Sequence, residues 1–308
     1  MSLAQGIDIS VYQPKVDWPK VQQATGISFV LVKASQSNWP DPLFAKHWAD
    51  TKAAGLLRGA YHFLRQAADP QQQVTAFLNA LGQDPGELAP ILDIEDTRVT
   101  DPARYAAAAQ TWLQQVENQL HRRPIIYTGG WWWDPNMLIA GHYPAWAGGY
   151  PLWVASWPLR TGVPTPAQLD QGQFTPVMPK SWTTWQFWQY TGDLALVDGI
   201  TDDRGRPARV DLDVFNGTVD DLRGNASPVV VAVLQLPDPR VTNQIMINAF
   251  SHAFGPDYWL VVQRAGLAAM ADQRAAQYAG PAINALAALS QAEQATLEQK
   301  LTQLVGGV

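Results

Sequence analysis

Pro90-Ile91-Leu92-Asp93-Ile94-Glu95 is an apolar run that opens on a proline and closes on two carboxylates. Its shortness and its bounded apolar centre predict a strand buried on both faces, and because side chains alternate across a strand, Asp93 and Glu95 share one face. Seven more short apolar or β-branched segments repeat the pattern, at residues 6–10, 28–33, 58–63, 124–128, 152–156, 184–189 and 208–212. Strands of this kind, joined by crossovers of a dozen or more residues, form a parallel sheet, and eight of them make a barrel. Helices are predicted in the early gaps, at residues 18–24, 42–54, 70–81 and 102–121. Asp41, Asp69 and Asp101 each precede a proline, giving three N-cap and first-turn signatures in step with the strands. The later gaps differ: 157–181 is rich in Pro, Gly and Gln and 190–207 in Gly and Asp, so neither reads as helical. The predicted fold class is α/β: an irregular TIM-type barrel, regular in its first half, with loop-joined strands in its second.

A chain of 308 residues suits one such barrel plus an appendage. Hydrophobic residues at 47% can fill a large core, whereas a charged fraction of 16% and a net charge of -6 leave no basic reservoir for phosphates. Nucleic acid is therefore not an expected partner. The absence of cysteine excludes a disulfide framework, a thiolate zinc site and a cysteine nucleophile. No apolar run approaches the ~20 residues of a membrane span, so no membrane partner is expected, and the Met1 region has no basic start followed by an apolar stretch, so no signal peptide is expected. Of 14 tryptophans, thirteen fall between Trp18 and Trp188 and only Trp259 lies beyond. That shift places a boundary near 224–228, with Asn225, Ala226, Ser227 and Pro228 as linker: a barrel at 1–224 and a mainly α-helical domain at 228–308. Most of the tryptophans read as core, but a dense aromatic set around acidic loops also suits stacking on sugar rings.

In a β/α barrel the reactive groups project from the C-terminal ends of several strands. Asp8 on the first strand, Asp93 and Glu95 on the fourth, and Asp211, read as closing the eighth, meet that condition. Close carboxylates do not all stay ionised, so one is expected to hold a proton near neutral pH beside another that stays anionic. An acid able to donate beside an anion able to stabilise is the equipment for cleaving a glycosidic bond. Carboxylate clusters also bind Mg or Ca, but no calcium loop is visible, and the five histidines show no paired spacing for zinc; no metal or cofactor is expected. His62, in Tyr61-His62-Phe63, reads as a hydrogen-bonded wall residue rather than a proton shuttle.

Several of these segments together resemble family 25 glycoside hydrolases, the N,O-diacetylmuramidase type of lysozyme. They are Gly6-Ile7-Asp8-Ile9-Ser10 with Gln13, Phe29-Val30-Leu31-Val32-Lys33-Ala34, Gly59-Ala60-Tyr61-His62-Phe63, Leu92-Asp93-Ile94-Glu95, Pro124-Ile125-Ile126-Tyr127-Thr128, Leu152-Trp153-Val154-Ala155, Trp188-Gln189-Tyr190 and Val210-Asp211. The resemblance spans roughly residues 5–217, in order. It implies a barrel of five β/α units plus three further strands, and cleavage of the β-1,4 bond between N-acetylmuramic acid and N-acetylglucosamine in bacterial cell-wall peptidoglycan. It also implies Glu95 as general acid, Asp93 as its partner, and Asp8 and Asp211 as supporting carboxylates. Tyr61, Tyr127 and Trp153 are then candidates for shaping the sugar subsites, with Gln189 as a polar contact. One position departs: where the family commonly has Thr-Glu-Gly, this chain has Ser35-Gln36-Ser37, so a glutamate is replaced by neutral Gln36.

A wall-cutting enzyme without a secretion signal would suit a phage-type lysin made in a host cytoplasm and acting outside it, on the wall. Two other readings stay open at this level: a barrel that binds glycan without cutting it, and an assembly component carrying a lysin domain. The second draws on the tail, where Ser290 and Glu293 form a capping box and Leu297, Leu301 and Leu304 make one apolar helix face, a possible homo-oligomer seam.

Overall fold

The computed structural model describes residues 2–226, and the tail features from Val229 to Leu304 lie outside the described residues. Eight strands close into a ring: β1 Ala4–Ile9, β2 Phe29–Gln36, β3 Leu57–Phe63, β4 Ile91–Asp93, β5 Ile125–Thr128, β6 Leu152–Ala155, β7 Phe187–Gln189 and β8 Pro207–Phe215. Neighbours from β1 to β7 pair in parallel. β8 pairs antiparallel with both β7 and β1 and closes the barrel. Every apolar segment picked from sequence is one of these strands; the direction of the last one was not visible there.

Alternation within the strands divides the core in two. Phe29 and Leu31 of β2 pack with Ile91, Ile125, Phe187 and Phe215 in one cluster, the barrel interior. Val30 and Val32 pack the other way, with Leu92, Ile126, Phe77, Trp112 and Leu113, under the helices. Eight tryptophans are buried, Trp18, Trp48, Trp112, Trp132, Trp133, Trp153, Trp182 and Trp188, so most of the described set is core.

The helices are α1 Trp18–Thr25, α2 Phe44–Ala53, α3 Pro70–Leu81, α4 Pro102–Leu120, α5 Gly130–Asn136, α6 Pro166–Asp170 and α7 Val219–Ala226. Asp69 and Asp101 cap α3 and α4 as predicted, accepting the backbone N–H of Gln72 and Arg104, each at 3.0 Å. Asp41 does not cap α2, whose first residues have no side-chain cap. Its carboxylate instead accepts the N–H groups of Val11 at 3.1 Å and Leu43 at 2.9 Å, tying the loop after β1 to the loop after β2.

Three further departures concern the second half. The segment read as non-helical at 157–181 contains the five-residue α6, set by a Thr165–Gln168 capping box. The Gly- and Asp-rich stretch at 190–207 contains a strand, Ala195–Thr201, that hairpins onto β8. Residues 225–226, read as the start of a linker, are the last residues of α7.

Candidate active site

The mouth of the barrel collects carboxylates from opposite sides of the ring. Asp8, next to last in β1, stands directly across from Asp211 of β8. Asp211 therefore lies in the middle of its strand rather than closing it: an antiparallel β8 brings its first half, not its end, to the mouth. Gln189, the last residue of β7, donates from Nε2 to Asp8 Oδ2 at 2.7 Å and to Asp211 Oδ2 at 3.4 Å, so one amide clamps both acids. Across the ring, Asp93 closes β4 and is buried, with Oδ1 lacking a hydrogen-bond partner among the described residues. Glu95 lies two residues on, half-buried.

Burial is the largest cause of the shifts here, because a carboxylate removed from water favours its neutral form. It raises Asp8 to about 7 and Asp211 to about 8, and each also feels the other acids: Glu95 and Asp193 act on Asp8, while Asp8 acts on Asp211. Glu95 rises to about 7, pushed by burial and by Asp211 against the pull of Lys33 and Arg65. Asp93 goes well up, through burial and then the charge of Glu95, with Lys33 opposing. Each of Asp8, Asp93, Glu95 and Asp211 feels the charge of at least one other of the four, so they lie in one electrostatic neighbourhood. Groups this strongly linked titrate as a set. Chemically, the set holds protons at neutral pH next to positions where the remaining charge collects.

Residues 7–199 match the family described as Glycosyl hydrolases family 25. The chain belongs to that family, and it is a glycoside hydrolase. Lysozyme M1 of Streptomyces globisporus is 31% identical over 229 residues, covering 70% of this chain and 68% of that protein. The uncharacterized protein YegX of Escherichia coli K12 is 30% identical over 226 residues, covering 71% of each. Among solved structures, the bacterial lysozyme from Streptomyces coelicolor aligns with a TM-score of 0.57 and 26% identity, over 72% of this chain and 96% of that one. The family 25 lysozyme from Aspergillus fumigatus gives 0.56 and 26%, over 73% and 99%.

In this family 25 hydrolase the four residues offered as sugar contacts form the floor beneath the acids. Tyr61, Tyr127, Trp153 and Gln189 are all buried. The Tyr127 hydroxyl donates to Gln189 Oε1 at 2.9 Å, and the Trp153 ring lies 4.3 Å from that of Tyr127, tilted by 55°, and edge-on to Tyr61 at 5.9 Å. His62 is a wall residue: its ring nitrogens lie 2.8 Å from Ser35 Oγ and 3.2 Å from Gln73 Oε1, and burial pushes its pKa down to about 3.

Three charged residues of the site were missed from sequence. Asp213 is fully buried; Trp153 Nε1 donates to its Oδ1 at 2.8 Å, while Oδ2 finds no donor and faces Asp8. Burial, then the Asp8 charge, drives its pKa well up, and a proton held between the two carboxyls satisfies both. Asp213 stands two residues from Asp211, the same spacing that singled out Asp93 and Glu95, so the signal was present. Asp96, directly after Glu95, is buried and takes Arg65 Nη1 at 2.6 Å, Arg98 N at 3.1 Å and Gln66 N at 3.2 Å. Burial alone would raise it, but those donors outweigh burial and hold it low, fixing the loop that carries Glu95. Lys33 on β2 has its pKa lowered by burial, against the pull of Asp93, and donates to Gln36 Oε1 at 2.8 Å.

Proposed function

We propose that this glycoside hydrolase cuts peptidoglycan at the β-1,4 bond between N-acetylmuramic acid and N-acetylglucosamine, with Glu95 as general acid and Asp93 as its partner. The observation that carries this reading is a half-buried Glu95 whose pKa is raised to about 7, next to a fully buried Asp93 that lies within the field of Lys33. Lys33 favours negative charge at both acids, and Glu95, the more accessible of the two, is the one assigned the proton that reaches the substrate. The likeness to Lysozyme M1 and to the N,O-diacetylmuramidase of Chalaropsis, 31% identical over 144 residues, supports the substrate class. The place of action is then the bacterial wall.

Glu95 gives its proton to the bridging oxygen, the bond from that oxygen to the anomeric carbon breaks, and its electrons leave with the departing sugar. Positive charge develops at the anomeric carbon, where the Asp93 carboxylate stabilises it or orients the substrate's own acetamido group for attack. In the second case water enters from the leaving-group side, gives its proton to the Glu95 carboxylate, and configuration is retained. Asp8 or Asp211, clamped by Gln189, would instead accept the proton of a water from the far face, giving inversion. Proton NMR of the anomers first released from purified peptidoglycan separates the routes, and the reducing-end sugar names the bond. Glu95→Gln lowers hydrolysis by about 100- to 10,000-fold, the range of a general acid, while binding to insoluble wall persists; a variant that hydrolyses normally removes Glu95 from this role.

A further inference from the structure

Two tryptophans stand in solvent beside the acids. Trp131 is 51% exposed and Trp157 is 46% exposed, although Trp132, Trp133 and Trp153, close to them in the chain, are buried. Trp131 lies in the first turn of α5, just beyond β5, and Trp157 lies two residues beyond β6, so both rise from the C-terminal ends of neighbouring strands. Their rings are 6.1 Å apart and tilted by 35°. Among the described large hydrophobic residues that are exposed, these two are the pair in ring contact with each other.

Both rings are seated rather than loose. A Cβ on Gly192 would lie 2.6 Å from the Trp157 indole, and a Cβ on Gly129 would run into the Trp131 indole and the Ala155 carbonyl at 2.7 Å. Each indole thus rests flush on a backbone that only glycine leaves open, with its other surface turned to water. Trp157 is also wired to the site: its Nε1 donates to Gln189 Oε1 at 3.2 Å, and Gln189 Nε2 in turn reaches Asp8 Oδ2 at 2.7 Å. A ring resting on Trp157 is therefore one amide away from the carboxylates.

We infer that Trp131 and Trp157 form a stacking platform for pyranose rings of an N-acetylated glycan, a subsite beside the cleavage point that holds the strand while the acids act. An exposed, pre-positioned aromatic pair offers an apolar face to the C–H face of a sugar, while the Gln189 amide and the acids meet its polar edge. The buried Tyr61, Tyr127 and Trp153 present no such face. This inference rests on the proposed reading of the acids for its substrate.

The test uses the full-length protein on purified peptidoglycan, following release of reducing ends, with far-UV circular dichroism melting to confirm folding. Trp157→Ala and Trp131→Ala each raise KM about tenfold, the scale of one aromatic contact of ~1.4 kcal/mol, with the loss carried mainly by KM rather than kcat. Trp157→Phe recovers most of the KM, because it keeps a ring face and loses only the N–H, and Gly192→Ala, which displaces the Trp157 ring, behaves like Trp157→Ala. Folded alanine variants with unchanged KM overturn the platform. Separately, the Glu95→Gln protein is mixed with insoluble peptidoglycan and the bound fraction measured: adding Trp157→Ala weakens that binding about tenfold, again on the scale of one aromatic contact. If the unaltered enzyme releases no reducing ends, the reading of the acids fails while this binding comparison still decides the platform; equal binding with and without Trp157 overturns it.

Discussion

β3 meets a charge cluster at each end, and the two are built on opposite principles. Near its start, Arg58 is 1% exposed and is enclosed by carboxylates: Nη2 lies 2.9 Å from Asp84 Oδ1 and 2.7 Å from Glu87 Oε1, and the guanidinium lies 4.5 Å from the Trp48 ring. Hydrogen bonding to Arg58 is the largest influence on Asp84 and holds its carboxyl far below the usual range; for Glu87 burial opposes, but the Arg58 bonds prevail and it too is lowered. Toward the other end, Tyr61 lies among Asp8, Asp93 and Asp211, whose carboxyls are raised, and the one nearby ammonium, Lys33, leans on a neutral amide. The first cluster satisfies its charges and stabilises the barrel. The second meets Asp8 and Asp211 with neutral donors rather than counter-ions, which costs stability and stores protons. The contrast matches the division of β/α barrels into a structural lower face and a reactive upper one.

Removing Arg58 breaks the lower cluster and should leave the upper untouched. Arg58→Met strips four side-chain hydrogen bonds from Asp84 and Glu87 and the contact with Trp48. Losing one partner of a buried pair costs about 3–5 kcal/mol, but both acids are more than a third exposed and rehydrate, so about 2–3 kcal/mol is expected. Thermal melting should fall by roughly 5–10 °C, with the pH profile of hydrolysis unchanged. A displaced profile would show that the two ends are linked.

The upper cluster carries the opposite sign. A carboxyl raised in the folded state binds its proton more tightly there than in the unfolded chain, so its penalty is absent below the unfolded value and grows as pH rises toward the folded one. For Glu95 that window runs from 4.5 to about 7. Glu95→Gln should therefore raise the melting temperature at pH 8 by several degrees, for a gain of order 1–3 kcal/mol, and change it little at pH 4. The acids bound to Arg58 behave in reverse, adding stability that is lost as pH falls through their lowered values. A Glu95→Gln protein less stable at pH 8 would mean that Glu95 is held as a stabilised anion and not as a poised acid.

How much of this was legible depends on which physical signal each element uses. Buried parallel strands need continuous apolar runs, and Phe29-Val30-Leu31-Val32 or Ile91-Leu92 can hardly be read otherwise. Strand direction leaves no such trace, so Asp211 was placed at a strand end when it sits mid-strand opposite Asp8. The strand Ala195–Thr201 was hidden by composition: its Gly and Asp suggest a loop, although Ala195, Val197 and Ile200 are buried in turn. Asp41 shows how one pattern serves two ends, since Asp-Pro that usually starts a helix here pins one loop to another. Among the candidate site residues, the acids were visible because charges at the end of an apolar run are conspicuous. Gln189 was visible only through the family resemblance, as an amide in a polar loop carries no energetic oddity.

Gln36 allows the finest adjustment of the upper cluster. At present Lys33 Nζ donates to the neutral Gln36 Oε1 at 2.8 Å, so its full charge remains available to pull on Asp93 and Glu95. Gln36→Glu supplies a carboxylate at the same place and turns the contact into an ion pair, which directs the ammonium's field away from the acids. Glu95 loses part of the influence that holds it down, and its pKa rises. Because hydrolysis requires Glu95 protonated, the alkaline limb of kcat/KM should move upward, by less than about one pH unit since the new charge remains paired. Lys33→Met removes the ammonium altogether and should move the limb further in the same direction, with the acid limb following as Asp93 becomes harder to ionise. A limb that moves down in Gln36→Glu, or stays fixed in both variants, would mean that Lys33 does not set the proton balance of the pair and that burial alone keeps Glu95 poised.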